Sequence, residues 1–326
     1  PSFAKSSGKH LTKRSFAFMR LPLTDDPAKS TSMLPINVFL GVQTSFRNFR
    51  RDGTINLQVS DKNLKHAQLF VDTALQAESL PPHEAGQLRG LLQFTLSWSF
   101  GRFGRAALQA ISERQYNSSK QFGFSDAIRS ALKFFQALLK CLPPAVIACW
   151  ALKSKPVVVW SDAAYERDSD SPAVIGFVVF VPFAPMDSNS SKRPLSSSRT
   201  LASRKRKSGL GDFFYAWLAV PDSFMQRFVV KKQYIGQLEL LGALVVYCSW
   251  PIIERAAGRK LPRRVIHFID NTSALSGLIK GYSSLPDSAR LAYAYHCLLF
   301  YLQIFVWNSF VATSANVGDM PTRLEK

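Results

Sequence analysis

Apolar residues follow two different spacings along the chain, and the change of spacing divides the sequence. From residue 61 to residue 149 they recur every three or four positions, which predicts amphipathic helices. From residue 156 onward, short β-branched and aromatic runs alternate with helical stretches, which predicts a mixed α/β sheet. Before residue 37 the sequence is polar, basic and irregular, so that a disordered tail is expected.

These changes predict three segments. Residues 1–36 form the basic tail, residues 37–150 a mainly helical module, and residues 151–326 an α/β domain. The helical module is preceded by a strand at Asn37–Phe46, a turn at Arg51–Gly53, and a hairpin partner, "TINLQVS". A serine-rich basic insert at residues 187–211 interrupts the α/β domain.

The α/β domain contains five predicted strands and a terminal helix, in the order βββαβ(αα)βα. Three strands in a meander are followed by strands that are separated by helices, and right-handed crossovers then place the fourth strand beside the first. The predicted sheet order is therefore 3-2-1-4-5, with the ends of the first and fourth strands adjacent, a common site position in open α/β sheets. The predicted strands are "PVVVWSDAA", "AVIGFVVFVP", "DFFYAWLAVP", "RRVIHFID" and "QIFVWNSFVATSA".

The uncharged stretch Leu291–Ala312 is long enough for a transmembrane helix. Its first half is rich in Leu, Ala and Tyr, whereas its second half is aromatic and β-branched. This change favours a buried helix followed by a buried strand over a membrane span. No membrane partner is therefore predicted.

The charge balance predicts a polyanionic partner. The chain has 41 Lys and Arg against 22 Asp and Glu, a net charge of +19, and a pI near 10.0. Nucleic acid, bound with salt-sensitive affinity, is the most frequent partner of such a protein, and a merely basic protein is the alternative. The basic start of the chain lacks the apolar core of a signal peptide.

The cysteines disfavour a zinc site and a disulfide framework, because they lie far apart and form no CxxC pair. A reducing, intracellular location, cytoplasmic or nuclear, is expected. The four are Cys141, Cys149, Cys248 and Cys297.

Four acidic residues stand where the predicted fold would bring them together. Asp162 interrupts the first strand, and Asp270 ends the fourth. Glu239 lies on the apolar stripe of a helix, where a carboxylate is rarely placed without a partner, and the small residue Gly242 on that stripe suggests close approach to the sheet. Asp319 follows the fifth strand. Together the four predict a site for hard cations, which prefer carboxylate oxygens.

Each acid also has an ordinary explanation. Asp162 could belong to a turn, and Glu239 could pair with Arg263 or Lys232. Asp270 could cap the following helix, and it is predicted to combine capping with metal binding, while Asn271 and the next residue form the turn that aims it. Asp319 could cap the terminal helix.

The ordered pieces resemble the ribonuclease H domain of retroelement reverse transcriptases. That resemblance implies an RNase H-like fold, and cleavage of the RNA strand of RNA–DNA hybrids. It implies two Mg²⁺ ions, with Mn²⁺ as an alternative cation, held by four catalytic ligands: Asp162 between both ions, Glu239 near the RNA 2′-hydroxyl, Asp270, and Asp319 at the more labile ion. The matching pieces are "WSDAAYE", "IGQLELLGAL", "HFIDNTSALSGLIKG" and "SANVGDMPTR".

The middle segment also resembles part of such polyproteins. "LPPHEAGQLRGLLQF" and "FGRFGRAAL" are similar to the thumb and connection region, and "FLGV" is similar to the last strands of the polymerase palm. The resemblance implies that the chain is the C-terminal part of a reverse transcriptase, with the polymerase portion of the same polyprotein as a partner. The aromatic-x-Asp-Asp motif of the polymerase itself is not evident.

Two alternatives remain open. Many members of the family carry a His shortly before the last acid, but "FVATSANVGD" has Ser314 and Asn316 instead. A catalytically decayed, nucleic-acid-binding remnant is therefore the second hypothesis. An integrase or a Holliday-junction nuclease on the same fold is the third, although an integrase would place a Glu where Asp319 stands.

Several polar residues are candidates for contact with nucleic acid. Arg102 and Arg105 of the helical module are predicted to hold the phosphate backbone, with a solvated helix face as the alternative. Asn271 is a further candidate beside Asp270. The basic run of the insert could contact phosphate, act as a nuclear localisation patch, or form a solvated loop. That run contains Arg204, Lys205, Arg206 and Lys207.

Overall fold

The computed structural model describes residues 34–97, 102–116, 122–148, 155–166, 173–183, 210–229 and 233–323. The strands are β1 Ile36–Phe39, β2 Val42–Ser45, β3 Thr54–Val59, β4 Ala145–Ala148, β5 Val157–Tyr165, β6 Ala173–Pro182, β7 Gly211–Ala219, β8 Arg264–Ile269 and β9 Phe305–Phe310. The helices are α1 Phe49–Asp52, α2 Asp61–Ala77, α3 Pro82–Ser97, α4 Arg105–Tyr116, α5 Asp126–Cys141, α6 Asp222–Met225, α7 Ile235–Cys248, α8 Trp250–Ala257, α9 Thr272–Lys280, α10 Pro286–Leu302 and α11 Asp319–Thr322.

The larger sheet has five strands in the order β7-β6-β5-β8-β9. β5, β6 and β7 pair antiparallel, whereas β5, β8 and β9 pair parallel. This confirms the predicted mixed sheet and its 3-2-1-4-5 order. Helix α7 packs against β5 and β6, and α10 packs against α7. The uncharged stretch that imitates a membrane span is α10 followed by β9, as predicted.

The helical module has its own apolar core, separate from the core of the sheet. Serine side chains cap two of its helices: the Ser60 hydroxyl accepts the Asn63 N–H before α2, and the Ser125 hydroxyl accepts the Ile128 N–H before α5. Residues 149–154, where a boundary with the α/β domain is predicted, lie outside the described residues. The largest side chains buried in this core include Leu80, Leu88, Leu92, Ile111, Leu132 and Phe135.

The smaller sheet differs from the expectation. The stretch Asn37–Phe46, predicted as one strand, forms β1 and β2, joined by a tight turn. Leu40 and Gly41 in that turn have φ values of 48° and 79°, the left-handed conformation that favours hairpin turns. The unpredicted β4 pairs with β3 and completes the sheet order β1-β2-β3-β4. β4 was not predicted because it has only four residues, directly after two prolines, and so short a strand does not show a period-2 pattern.

The helix predicted to carry Glu239 is α7, and a second helix follows it directly. α7 ends at Cys248, and α8 begins at Trp250 with Pro251 in its first turn, where the missing N–H of proline interrupts the helical ladder. The two meet at 45°, and only as a bent pair do they reach the length and apolar composition of a membrane span. No single helix in the described ranges does so.

The cysteines that the structure describes are free thiols: Cys141, Cys248 and Cys297. Cys149 lies outside the described residues.

Candidate metal centre

Three of the four predicted acids meet at the centre of the larger sheet. Asp162, Glu239 and Asp270 each offer a carboxylate oxygen, and these oxygens lie within 4.8 Å of one another. Asp162 and Glu239 are only 5% and 2% exposed, whereas Asp270 is half-buried. Since Mg²⁺ binds oxygen at about 2.0–2.1 Å, small side-chain movements bring such a cluster into contact with one cation.

Strand pairing and helix packing explain this convergence. The parallel pairing of β5 and β8 ends at Trp160 and Phe268, two residues before Asp162 and Asp270 respectively. Helix α7 lies close to β5 at Gly242. A Cβ at that position would be only 3.4 Å from the Asp162 carbonyl oxygen. The close approach expected from this glycine is therefore observed.

Burial and mutual repulsion disfavour the charged forms of two of the three carboxylates. Burial raises the pKa of Asp162 to about 7, and the neighbouring carboxylates of Asp319 and Asp270 add to the effect. Burial also raises the pKa of Glu239 to about 9, with further contributions from Asp162 and Asp270. The Ala163 N–H opposes the shift by donating to Glu239.

The donor set fits a hard divalent cation. All three side chains present oxygen, and Oε2 of Glu239 is buried without a hydrogen-bond partner among the described residues. Arg263, the described ion-pair candidate for Glu239, pairs with Glu254 instead, at 3.2 Å. Buried carboxylates that lack a cationic side chain are expensive, and a bound cation would remove that cost.

Asp319 lies beside the cluster of three and not within it. It forms a hydrogen bond with Asp162, while its Oδ2 accepts the Arg323 guanidinium at 2.6 Å. The Thr322 hydroxyl lies 2.9 Å from the Asp319 carbonyl oxygen and 3.0 Å from Asp162 Oδ2. The fourth predicted acid is therefore next to the site, and one of its oxygens is paired with an arginine.

Two residues that hold Asp162 were not singled out from the sequence. Thr322 is one, and Asn316 is the other: its Nδ2 lies 3.5 Å from Asp162 Oδ1 and 3.4 Å from the Ser161 carbonyl. Both belong to "SANVGDMPTR", the motif of the fourth acid. Their polar side chains beside that acid were the available signal.

Asn271, and not Asp270, caps the helix that follows β8. The Asn271 Oδ1 accepts the N–H groups of Ser273 at 3.1 Å and Ala274 at 3.0 Å. The prediction that Asp270 caps α9 is therefore wrong. Asn271 is one residue closer to the first N–H groups of the helix, and its side chain accepts them instead. Asp270 is left free for the acidic cluster, and contact of Asn271 with nucleic acid stays a prediction.

The two arginines of the helical module lie at the far end of α9. Arg105 is exposed, and its Nη1 donates to the Lys280 carbonyl at 3.2 Å. Arg102 lies against Gly281, where a Cβ would be 2.9 Å from the Arg102 carbonyl oxygen. Both residues therefore join the helical module to the α/β domain, and their role with nucleic acid stays a prediction. The basic run Arg204–Lys207 lies outside the described residues.

Gly176 provides a test of how α11 packs against the sheet. It pairs with Asp162 across β5 and β6, and a Cβ there would be 2.9 Å from Thr322 Cγ2 and 3.1 Å from Pro321 Cβ. We expect Gly176→Ala to displace α11 and to lower the free energy of unfolding by about 1–2 kcal/mol, as overpacking does. Thermal unfolding would measure the loss.

Gly90 offers the matched control, because it lies within α3 and a Cβ there meets nothing within 4 Å. Gly90→Ala should stabilise the protein by about 0.5–1 kcal/mol. Equal stability of Gly176→Ala and the unchanged protein would contradict the seating of α11 described above.

The sequence matches no known family profile and no curated protein. Similar solved structures include RNase H1 from the halophilic archaeon Halobacterium salinarum NRC-1, with 15% identity over 50% of this chain and 89% of that one, at a TM-score of 0.29. The N-terminal RNase H domain of a Mycobacterium tuberculosis protein, solved as a fusion with maltose-binding protein, has 12% identity over 52% and 94%, at 0.28. The prototype foamy virus protease–reverse transcriptase has 10% identity over 65% of this chain and 28% of that one, at 0.28.

Scores this low carry no argument about what this chain does. Its assignment to the RNase H-like fold class rests on its own strand order and strand directions. The chain has an RNase H-like fold with three acidic side chains gathered at the centre of its sheet.

Proposed function

We propose that this chain is a metal-dependent nuclease that hydrolyses the RNA strand of RNA–DNA hybrids, as the C-terminal part of a retroelement reverse transcriptase. The observation that carries the proposal is the convergence of Asp162, Glu239 and Asp270 within 4.8 Å at the centre of the sheet. Three parts of the chain that are far apart in sequence supply these acids, and carboxylates with strongly raised pKa values cluster at functional sites.

The residues of the site have distinct tasks under this proposal. Asp162, Glu239 and Asp270 would together hold the divalent cations, and Asp270 is the most exposed of the three. The bound Mg²⁺ would activate a water and stabilise the leaving oxygen of a phosphodiester. Thr322 donates to Oδ2 of Asp162, and Asn316 Nδ2 lies 3.5 Å from Oδ1, so that the two residues fix the orientation of this carboxylate.

Recognition of the substrate would depend on backbone contacts and on the RNA sugar. The net charge of +19 supports binding of a polyanion with a strong dependence on salt. The 2′-hydroxyl is the group that distinguishes RNA from DNA, and Glu239 is proposed to lie near it. Arg102, Arg105 and the basic insert are the proposed phosphate contacts.

A decayed nucleic-acid-binding remnant is the second candidate, and one contact favours it. Asp319 is engaged by Arg323 at 2.6 Å, which reduces its ability to bind a cation. The motif "FVATSANVGD" also lacks a His. Under this candidate the fold and the charge persist while turnover is lost.

A cleavage assay separates the two candidates. The protein is incubated with labelled RNA–DNA hybrid, double-stranded DNA or double-stranded RNA, in Mg²⁺ or in chelator. The nuclease proposal predicts cutting of the RNA strand of the hybrid alone, and only with Mg²⁺. Salt-sensitive binding of all three duplexes without any cleavage would support the remnant, and cleavage of double-stranded DNA would favour the integrase or junction-nuclease alternative.

A further inference from the structure

One buried imidazole connects the elements that carry the three acids. His267 lies on β8 and is fully buried. Its Nε2 lies 2.9 Å from the Ser161 hydroxyl on β5, and its Nδ1 lies 3.2 Å from the Tyr247 hydroxyl on α7. A single side chain thus joins both central strands to the helix that packs on them.

The contact with Ser161 lies where the sheet stops holding the two strands together. The ladder between β5 and β8 ends at Trp160 and Phe268, and Ser161 is the next residue of β5. The imidazole therefore extends the connection between the strands by one residue beyond their backbone pairing. Asp162 follows Ser161 directly.

The contact with Tyr247 reaches the third acid through its helix. Glu239 lies eight residues before Tyr247 on α7, which is about two helical turns. The Tyr247 ring packs edge-on against the His267 ring, with centroids 5.7 Å apart. The position of α7 over the strands is thereby linked to the same imidazole.

The network continues to the next strand. The Tyr247 ring packs edge-on against Tyr295 on α10, with centroids 5.4 Å apart, and the Tyr295 hydroxyl donates to Asn308 Oδ1 at 2.8 Å. Asn308 pairs with His267 across β8 and β9, so the chain of contacts returns to the strand on which it begins. Five buried polar side chains on five elements are therefore connected.

Both ring nitrogens of His267 have a partner. Burial lowers the pKa of His267 to about 3, which keeps the imidazole neutral with one donor and one acceptor. One of the Ser161 and Tyr247 hydroxyls therefore donates to the ring, and the other accepts from it. Buried side chains whose hydrogen bonds are satisfied in this way rigidify the elements they join.

We propose that His267 is a positioning residue that fixes β5, β8 and α7 relative to one another and so sets the separation of the carboxylates of Asp162, Glu239 and Asp270. This inference rests on the proposed function of those carboxylates as a divalent-cation site. It assigns no contact with cation or substrate to His267. Loss of the network should lower the affinity for cation by about tenfold, as loss of outer hydrogen bonds around ligands does.

The experiment measures thermal unfolding of the full chain across a titration of MgCl₂, which needs no catalysis. Tyr247→Phe and Ser161→Ala each remove one hydroxyl and keep the packing, and His267→Gln removes the ring. We expect all three to raise the MgCl₂ concentration for half-maximal stabilisation by about tenfold. His296→Gln is the control, because His296 is also buried but bonds the Leu278 carbonyl.

The outcomes separate this inference from the proposed function. If Mg²⁺ stabilises neither the unchanged protein nor Asp270→Asn, the cation site itself is wrong and the inference fails with it. If Mg²⁺ stabilises the unchanged protein but not Asp270→Asn, the cation site stands. In that case, unchanged half-maximal concentrations in Tyr247→Phe, Ser161→Ala and His267→Gln overturn the positioning role of His267.

Discussion

Asp270→Asn is expected to reduce the rate of hybrid cleavage by about a thousandfold or more, because it replaces one of the three charged carboxylates that would hold the cation with a neutral amide. Asparagine has nearly the same shape as aspartate, so packing is retained. The side chain of Asp270 caps no helix, since Asn271 fills that role. The rate is measured under single-turnover conditions in saturating Mg²⁺, well below the unfolding temperature.

Asp287→Asn is the matched control for this substitution. Asp287 is 4% exposed, and its Oδ2 accepts the Val229 N–H at 2.7 Å, away from the acidic cluster. The control should lose some stability and keep the cleavage rate within about twofold, because its bond is structural. Similar losses of rate in Asp270→Asn and Asp287→Asn would show that damage to the fold, and not loss of a cation ligand, explains the effect.

Glu239→Gln is expected to stabilise the protein in chelator at pH 8 by about 1–2 kcal/mol, because active-site strain is relieved when function is removed. Glutamine still accepts the Ala163 N–H, but it carries no charge to be buried beside Asp162 and Asp270. At about 2–4 °C for each kcal/mol, the shift in melting temperature is measurable by calorimetry.

The raised pKa of Glu239 predicts how the stability gained in Glu239→Gln changes with pH. The pKa of Glu239 is raised to about 9 in the folded protein, so that the folded state keeps a proton that the unfolded state releases. Stability from this group is therefore complete below about pH 4.5 and is lost as the pH rises through about 9. The advantage of Glu239→Gln should grow across that window.

In saturating Mg²⁺ the unchanged protein should be more stable than Glu239→Gln, the reverse of their order in chelator. The unchanged protein gains binding free energy from the cation, whereas the variant offers it a neutral amide in place of a charged carboxylate. Calorimetry in chelator and in Mg²⁺, at pH 5 and at pH 8, gives the four comparisons. A variant that is less stable than the unchanged protein in chelator at pH 8 would contradict uncompensated burial of Glu239.

Part of the candidate site was predictable, because an acidic residue at an apolar position of a strand or helix pattern is easily recognised. Asp162 stands out because it interrupts an apolar strand, and Glu239 because it occupies an apolar helix face. The predicted crossover placed Asp162 next to Asp270, and the pairing of β5 with β8 agrees. Local periodicity carried this information, because it records which side of an element is buried.

The contacts around those acids could not be predicted in the same way. The role of Thr322 toward Asp162 depends on the seating of α11 over Gly176, 146 residues earlier in the chain. The capping role of Asn271 and the pairing of Arg323 with Asp319 depend on local geometry that a sequence pattern leaves open. Several rotamers and partners are compatible with the same residues until the packing selects one.

The sequence by itself determined the strand order of the larger sheet and the meeting of Asp162 with Asp270 at its centre, because hydrophobic period and crossover handedness depend on chain order alone. Only the tertiary structure decided that Asp319 stands beside the cluster, engaged by Arg323, and that His267 connects β5, β8 and α7. The reason is physical: a hydrogen bond needs atoms within about 3 Å. Such distances between residues far apart in the chain exist only once the core has packed.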